Sequence, residues 1–389
     1  MEFELTADER RWREEVRAFL AEHLTAEVVA EKTEKHPQGR SPAVAEFWSR
    51  VKERGWHRLT WPKAYGGSEL DPVRRMILLD EFEYWRAPSW DMTITSLAPV
   101  IIAHGTDDNR EDWLPGIGEG SVRFALGYSE PNSGTDLASL RTSAVLDGDE
   151  WVINGEKIWN SGAHYQTHEW LAVRTGEGGP RGISIIIVPI DAPGVSVAPI
   201  WTWGDHRTNS THFDNVRVPR RNLMGEVNKG WTYITAALEN ERGGLGSAGG
   251  VRRLLDDLVA ELRRTRVDGV LLSEDPVVRT TVAEFAAELS ALEIMNFDAA
   301  LNGSNGSFEA VSATMSKVVS TELRSRIARF GLDVLGLRGQ ESGSTAPVDG
   351  WIEYEYRGAP LWQFVGGANE VMRDLIAQRG AGLPRPPRR

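Results

Sequence analysis

The 389-residue sequence contains no cysteine. Disulfides, thiolate catalysis and cysteine-bound metals are excluded, and a reducing cytosol is the expected setting. A long apolar run is also missing: the longest, Ile183 to Ile190, falls far short of the roughly 20 residues a membrane helix needs. The start, Glu2-Phe3-Glu4-Leu5, is charged at once and has no signal-peptide pattern. Positive charge is in deficit, with 44 Lys and Arg against 56 Asp and Glu and a net charge of −12. The basic clusters are short: Arg220-Arg221, Arg263-Arg264 and the Pro-rich end from Pro384 to Arg389. No stripe exists to overcome the overall field, so neither a nucleic acid nor a membrane is expected as partner. Tyrosine is sparse, at 7 residues, whereas tryptophan reaches 15, a bias toward amphipathic aromatic surfaces such as pockets or interfaces. The 41% hydrophobic and 26% charged content is that of a soluble globular protein, long enough for two or three domains.

The texture along the chain is helical, then β-rich, then helical. Thr6 with Glu9 forms a capping-box pattern ahead of a helix through Phe19 and Leu20. A second helix is expected through Val44, Phe47, Trp48 and Val51, stopping at Gly55, with others around Arg74–Tyr84 and Ser96–Gly105. Near Phe124 the period changes. Asn154-Gly155, between two β-rich runs, predicts a hairpin, and further strands are expected at Glu169–Arg174, Ile183–Pro189, Val195–Ile200 and His212–Val218. Such a set suggests a barrel or sandwich. From Trp231 the helical period returns, predicting helices over 231–264, 274–301, 308–338 and 367–378, with a loop over Asn302–Ser307.

Few constellations carry chemistry. Gly244-Leu245-Gly246-Ser247-Ala248-Gly249 matches the dinucleotide fingerprint, but a helical run precedes it, so no strand-to-helix turn can aim amides at a pyrophosphate. Close approach of another helix or of a ligand explains the small residues better. His164 and His168 have helical metal-ligand spacing, yet they fall in an expected loop with no carboxylate to complete a set. Glu241 is more suggestive. Its helical neighbours Ile234, Ala237, Leu238, Leu245 and Ala248 are all apolar. A carboxylate on a buried stripe is held protonated or paired, and the raised pKa expected there suits a general base. The alternative is a buried ion pair with an arginine such as Arg242. The polar loop from Tyr128 to Asp136 can present amides and hydroxyls to a phosphate or a heteroaromatic ring, or simply connect two domains.

These pieces together resemble the acyl-CoA dehydrogenase family from Leu5 to Pro384. The matching blocks include Trp61-Pro62 with Tyr65-Gly66-Gly67, His104-Gly105-Thr106 with Trp113-Leu114-Pro115, and Ser129-Glu130-Pro131 with Gly134-Thr135-Asp136. Asn154-Gly155-Glu156-Lys157-Ile158-Trp159, Asn215-Val216-Arg217-Val218-Pro219 and Gly367-Ala368-Asn369-Glu370 follow in order. The resemblance implies an α+β multidomain fold: a helical N-terminal domain (1–124), a middle β-barrel or sandwich domain (125–230) and a C-terminal helical bundle (231–389). It implies FAD as cofactor, with Tyr128, Ser129, Gly134, Thr135, Trp159 and Ser161 around the flavin ring, and an acyl thioester, most simply an acyl-CoA, as substrate. Arg242, Gly366 and Gly367 would face that substrate. An electron-transfer flavoprotein or similar acceptor would complete the cycle.

Two departures sharpen the expectation. Many family members carry the base at the position of Gly366, which has no carboxyl; a minority carry it in a Glu-Arg pair, matched by Glu241-Arg242. Glu241 is therefore the expected catalytic base. The segments that grip FAD from a neighbouring subunit are replaced by Arg264-Thr265-Arg266-Val267-Asp268-Gly269 and Asp333-Val334-Leu335-Gly336-Leu337-Arg338-Gly339. The pattern most resembles actinobacterial members acting on bulky thioesters, including steroid side chains. Some of these assemble with a related chain, so a homo-oligomer or a hetero-oligomer is expected. Two other classes remain open on the same fold: a flavin monooxygenase, which needs no α-proton base, and a mainly structural partner subunit.

Overall fold

The computed structural model describes residues 4–32, 41–302 and 309–385. Except for its first residue, the loop expected over 302–307 lies outside them, as does the last part of the Pro-rich end. Six helices come first: α1 (Ala7–His23), α2 (Ala26–Ala30), α3 (Pro42–Glu53), α4 (Pro72–Tyr84), α5 (Ala98–His104) and α6 (Asp107–Glu119). Seven strands follow: β1 (Phe124–Gly127), β2 (Ser143–Asp147), β3 (Glu150–Ile158), β4 (His168–Arg174), β5 (Ile183–Pro189), β6 (Val195–Trp201) and β7 (Arg207–Pro219). Then come α7 (Gly230–Leu245), α8 (Gly249–Leu262), a short hairpin of β8 (Arg266–Val267) and β9 (Val270–Leu271), α9 (Pro276–Asn302), α10 (Glu309–Leu335), α11 (Trp351–Phe364) and α12 (Asn369–Leu375). The helical, β, helical order of the sequence is the order observed.

By packing, the chain forms two compact units. One comprises Met1–Glu34, Leu70–Ser89 and Arg242–Arg389; the other comprises Lys35–Glu69 and Trp90–Glu241. In the first, the Thr6 capping box forms as expected: the Thr6 hydroxyl accepts from the Glu9 amide, and the Glu9 carboxylate accepts from the Thr6 amide at 2.7 Å. Val16, Phe19 and Leu20 of α1 are buried, while Leu254, Leu258, Leu292, Leu323, Ile327 and Ile352 build the bundle core. The helix expected over 231–264 is two helices. Asp80 on α4 takes the amide of Gly249 at 2.6 Å and the hydroxyl of Ser247 at 3.0 Å, ending one helix run and starting the next. A Cβ on Gly249 would stand 1.9 Å from the Asp80 carbonyl oxygen, and one on Gly246 would stand 2.9 Å from the Ser316 Cβ. Close helix contact is thus the role of these glycines. Helix α11 was not expected, because Gly358 and Pro360 lie inside it.

In the second unit the strands form one seven-stranded sheet in the order β1-β4-β2-β3-β7-β6, with β5 paired to the other edge of β4. Strands β4 and β5 are buried on both faces. Trp170, Ala172, Ile183, Ile185 and Ile187 join a core with Leu97, Ile101, Leu114 and Ile117 of the helical layer. Leu171, Val173, Ile186 and Val188 join Ile153, Val216 and Val218 within the sheet's own core. Double-sided burial accounts for the apolar run at 183–190, which therefore reads as continuous rather than alternating. Among the described residues no helix is long and apolar enough to cross a membrane.

The hairpin expected at Asn154-Gly155 is corrected. A single strand, β3, runs through both residues, and its register against β7 shifts between Ile153 and Gly155. Gly155 has φ +149°, and a Cβ there would lie 2.6 Å from the Thr142 hydroxyl, so glycine makes room for a close approach opposite a bulge in β7 rather than for a turn. The turn lies earlier, at 148–149 between β2 and β3, where Asp147 pairs with Glu150 and Gly148 takes φ +62°.

Candidate functional site

Strand β1 delivers Tyr128 and the loop after it. The loop closes on itself: Glu130 and Ser133 exchange amide-to-carbonyl hydrogen bonds at 2.9 and 3.0 Å, and the buried Ser133 hydroxyl donates to the Asp136 carbonyl at 2.8 Å. Ser129 is half-buried, whereas Gly134 and Thr135 are exposed. A Cβ on Gly134 would meet nothing within 4 Å, so this stretch of backbone is open to a planar ligand. The second expected flavin segment follows β3. Trp159 sits at φ +66°, a conformation few non-glycine residues adopt, and its indole is 56% exposed. Backbone bonds on both sides fix it, from the Ile158 amide to the Ser129 carbonyl at 2.9 Å and from the Asn160 amide to the Asn209 carbonyl at 3.0 Å. The first of these bonds joins the two segments. Tyr128, Ser129, Trp159 and the exposed Ser161 are thereby brought together, although about thirty residues separate them in sequence.

Sequence reasoning missed what lies beneath them. Lys157 is fully buried, and its ammonium donates to the Tyr128 carbonyl at 3.0 Å and to Glu130 Oε1 at 2.9 Å. Glu130 also accepts from the amides of Arg141 at 2.7 Å and Thr142 at 2.8 Å. Burial opposes its charge, but Lys157 and these amides prevail and hold its carboxyl below the usual range. For Lys157, burial outweighs Glu130 and pulls the ammonium down to about 8. Glu169, also buried, is pushed up to about 8 by its loss of solvent, with Lys157 acting against the rise. The signals were present in the sequence. Lys157 shares the inward parity of Trp151 and Ile153, and Glu169 opens the apolar run Trp170-Leu171-Ala172-Val173.

Glu241 lies on α7, one turn and two turns beyond the buried Ala237 and Ile234, and is itself half-buried. Its expected neighbour Leu245 ends that helix, while Ala248 lies beyond it, so the single apolar face stops sooner than the periodicity predicts. The Glu241 carboxylate acts electrostatically on Tyr128, whose hydroxyl is buried and held in its neutral form, first by desolvation and then by that charge. Neither the Tyr128 hydroxyl nor the Trp170 indole N–H completes a hydrogen bond of ordinary geometry. The expected base and the head of the expected flavin loop therefore belong to one unit, within electrostatic reach of each other. The side chain of Arg242 lies outside the described residues.

Gly366 and Gly367 belong to the other unit, in the turn between α11 and α12, at φ +67° and +107°. Lys317 of α10, fully buried, pins this turn by donating to the carbonyls of Gln363 at 3.1 Å and Gly367 at 2.9 Å and to Asn369 Oδ1 at 2.6 Å. In the segment that replaces the usual flavin grip, Arg264 pairs with Glu261 of its own chain. Asp268 and Gly269 make the tight turn of the β8–β9 hairpin. His164 contacts Asn209 at 3.2 Å and His168 contacts the Thr167 hydroxyl at 2.8 Å.

Comparison with known proteins agrees along the whole chain. Three family models match in order: acyl-CoA dehydrogenase N-terminal domain over residues 6–121, middle domain over 125–216 and C-terminal domain over 228–381. The chain is 36% identical to acyl-CoA dehydrogenase FadE26 of Mycobacterium tuberculosis, covering 99% of each sequence. Its structure is similar to one described as the Tcur3481-Tcur3483 steroid ACAD, with a TM-score of 0.90 and 37% identity over 99% of this chain and 100% of the other. It is similar also to a chain of the ChsE4-ChsE5 complex from Mycobacterium tuberculosis, with a TM-score of 0.90 and 35% identity over 99% and 100% of the two chains.

Proposed function

The chain belongs to the acyl-CoA dehydrogenase family, and from that premise we propose that it converts an acyl-CoA thioester to its Cα–Cβ enoyl form with Glu241 as base. Family membership makes it an oxidoreductase of the FAD-dependent kind. The residues fit the cofactor: Trp159 offers an exposed indole, Gly134 open space, and Ser129, Thr135 and Ser161 hydroxyls, all in the unit that carries Tyr128. FAD, when bound, supplies the acceptor for the hydride that leaves Cβ.

The chain's own part is the proton. Glu241 takes the α-proton at a carboxylate oxygen, the Cα–H electron pair becomes the new double bond, and the hydride leaves from Cβ. The reading is supported by the placement of Glu241 on α7, half-buried one turn beyond the buried Ala237 and in the same unit as Tyr128, on which its charge acts. Gly366, at the position that the resemblance gives for the base of many members, has no group to accept a proton. Arg242, Gly366 and Gly367 complete the proposed substrate contacts. The names of the structural neighbours, a steroid ACAD and a two-component complex, support a bulky, polycyclic acyl group and assembly with a related chain that completes the flavin grip. Reoxidation by an electron-transfer flavoprotein or similar acceptor follows from the same reading.

The test is Glu241→Gln. The variant should bind flavin and thioester, while anaerobic flavin bleaching by a panel of acyl-CoA esters slows by about 10²–10⁴-fold, the usual contribution of a general base. Near-normal bleaching by the intact variant would remove Glu241 from the mechanism.

A further inference from the structure

The core inside the sheet is apolar along most of its length, with Ile153, Leu171, Val173, Ile186, Val188 and Val216 filling it. At one end it is not. Lys157 and Glu169 are buried there, both at 1% exposure or less, beneath the loops that carry Tyr128 and Trp159. Replacing buried charged groups by apolar ones of similar volume is often neutral or stabilising, so packing alone gives no reason for them. Their contacts do. Lys157 spans from β3 to the Tyr128 carbonyl and Glu130. Glu169 Oε1 accepts from Asn160 Nδ2 at 2.6 Å, and the same amide group donates to the Leu126 carbonyl at 2.8 Å. Room for that carboxyl is made by Gly127, where a Cβ would stand 2.4 Å from Glu169 Oε1.

We propose that Lys157 and Glu169 are positioning residues for the flavin site: Lys157 fixes the 128–135 loop through the Tyr128 carbonyl and Glu130, and Glu169 fixes the strained Trp159 through its neighbour Asn160. The flavin part of this assignment rests on the function proposed above. A buried polar group holds its partner within narrow limits because each unmade bond there is expensive. Trp159, at positive φ, needs such a constraint on its following residue. Glu169 acts as a hydrogen-bonding carboxyl rather than as an ion-pair partner, since Lys157 already meets Glu130.

Amide hydrogen exchange on the full chain tests this without any flavin. Lys157→Met should speed exchange at Glu130, Ser133 and Ile158 by about tenfold or more, the loss of a charge-assisted bond, while Trp170 and Ile187 in the β4–β5 pair keep their protection. Glu169→Leu should do the same at Asn160, and Glu169→Gln, which retains an acceptor for Asn160, should restore it. Unchanged exchange in folded variants, acceleration spread evenly over the sheet, or equal behaviour of Gln and Leu at position 169 would each overturn the proposal. A FAD titration separates the two readings. Lys157→Met should weaken FAD binding by about tenfold, and equal affinity in variant and wild type would overturn the positioning role. Failure of the wild-type chain to bind FAD, alone or with its partner chain, would instead sink the flavin reading while the exchange pattern still decides the positioning of the loops.

Discussion

Two fully buried lysines hold two loops, and they do so by different chemistry. In the β unit Lys157 meets a carboxylate, Glu130, and has a second acid, Glu169, close enough to feel its charge. In the helical unit Lys317 meets two backbone carbonyls and the amide oxygen of Asn369. The first loop presents the residues proposed to face FAD; the second contains Gly366, which has no carboxyl. A loop held by neutral oxygens has partners that cannot titrate, whereas a loop held by acids responds to pH.

The largest effect expected is on stability. Lys317→Met strips a cation from three oxygens and should destabilise the chain by about 3 kcal/mol, measurable as a shift in the urea midpoint at unchanged slope. A loss below about 1 kcal/mol would show that the turn does not depend on Lys317 and would break the comparison at its helical end.

The β side should differ in its pH response. Glu169 is raised to about 8, so the native state keeps a proton that the unfolded chain has released above the ordinary carboxylate range. Stability from this group therefore falls as pH rises from that range to about 8 and is flat beyond it. Lys157 is lowered to about 8 from 10.5, so the native state lacks a proton the unfolded chain retains, and stability climbs between those values. Stability should pass through a minimum near pH 8. Glu169→Gln should abolish the falling limb and leave the rising one, as urea midpoints across that range would show. A falling limb that survives the substitution belongs to another group.

The smallest effect expected is at Trp159. Glycine relieves the left-handed backbone at φ +66°, and the exposed indole contributes little packing. Trp159→Gly should therefore raise stability by up to about 1 kcal/mol while shifting the visible spectrum of bound FAD. Lower stability with an unchanged spectrum would make Trp159 a packing residue and remove it from the flavin site.

How much of this was legible in the sequence depended on how local the cause was. The Thr6–Glu9 cap and the stripe of Val44, Phe47, Trp48 and Val51 are settled within a few residues, and both formed as expected. The break before Gly249 was hidden because the group that makes it, Asp80, is 169 residues away. Asn154-Gly155 misled because the same dipeptide serves a turn or a bulge, and only the register against β7 decides. The site followed the same rule. Residues around Tyr128 and Trp159 are grouped only by the family resemblance, because the bond from Ile158 to Ser129 that sets the two segments side by side is a tertiary fact. Lys157 and Glu169 could have been noticed by strand parity, since a charge among inward positions is a statement about burial.

The three-segment composition of the helical unit bears on how the chain is made. Residues Lys35–Glu69 and Trp90–Glu241 include the whole seven-stranded sheet, so this unit has all its parts once Glu241 has left the ribosome. Helices α1 and α4 emerge early but belong with residues from Arg242 onward. The face of α4 that buries Ile77 against Phe297, and Asp80, which bonds Gly249, must wait through the synthesis of everything between. Until then those apolar stripes are open to the wrong partner, which is where chaperone binding during translation is to be sought.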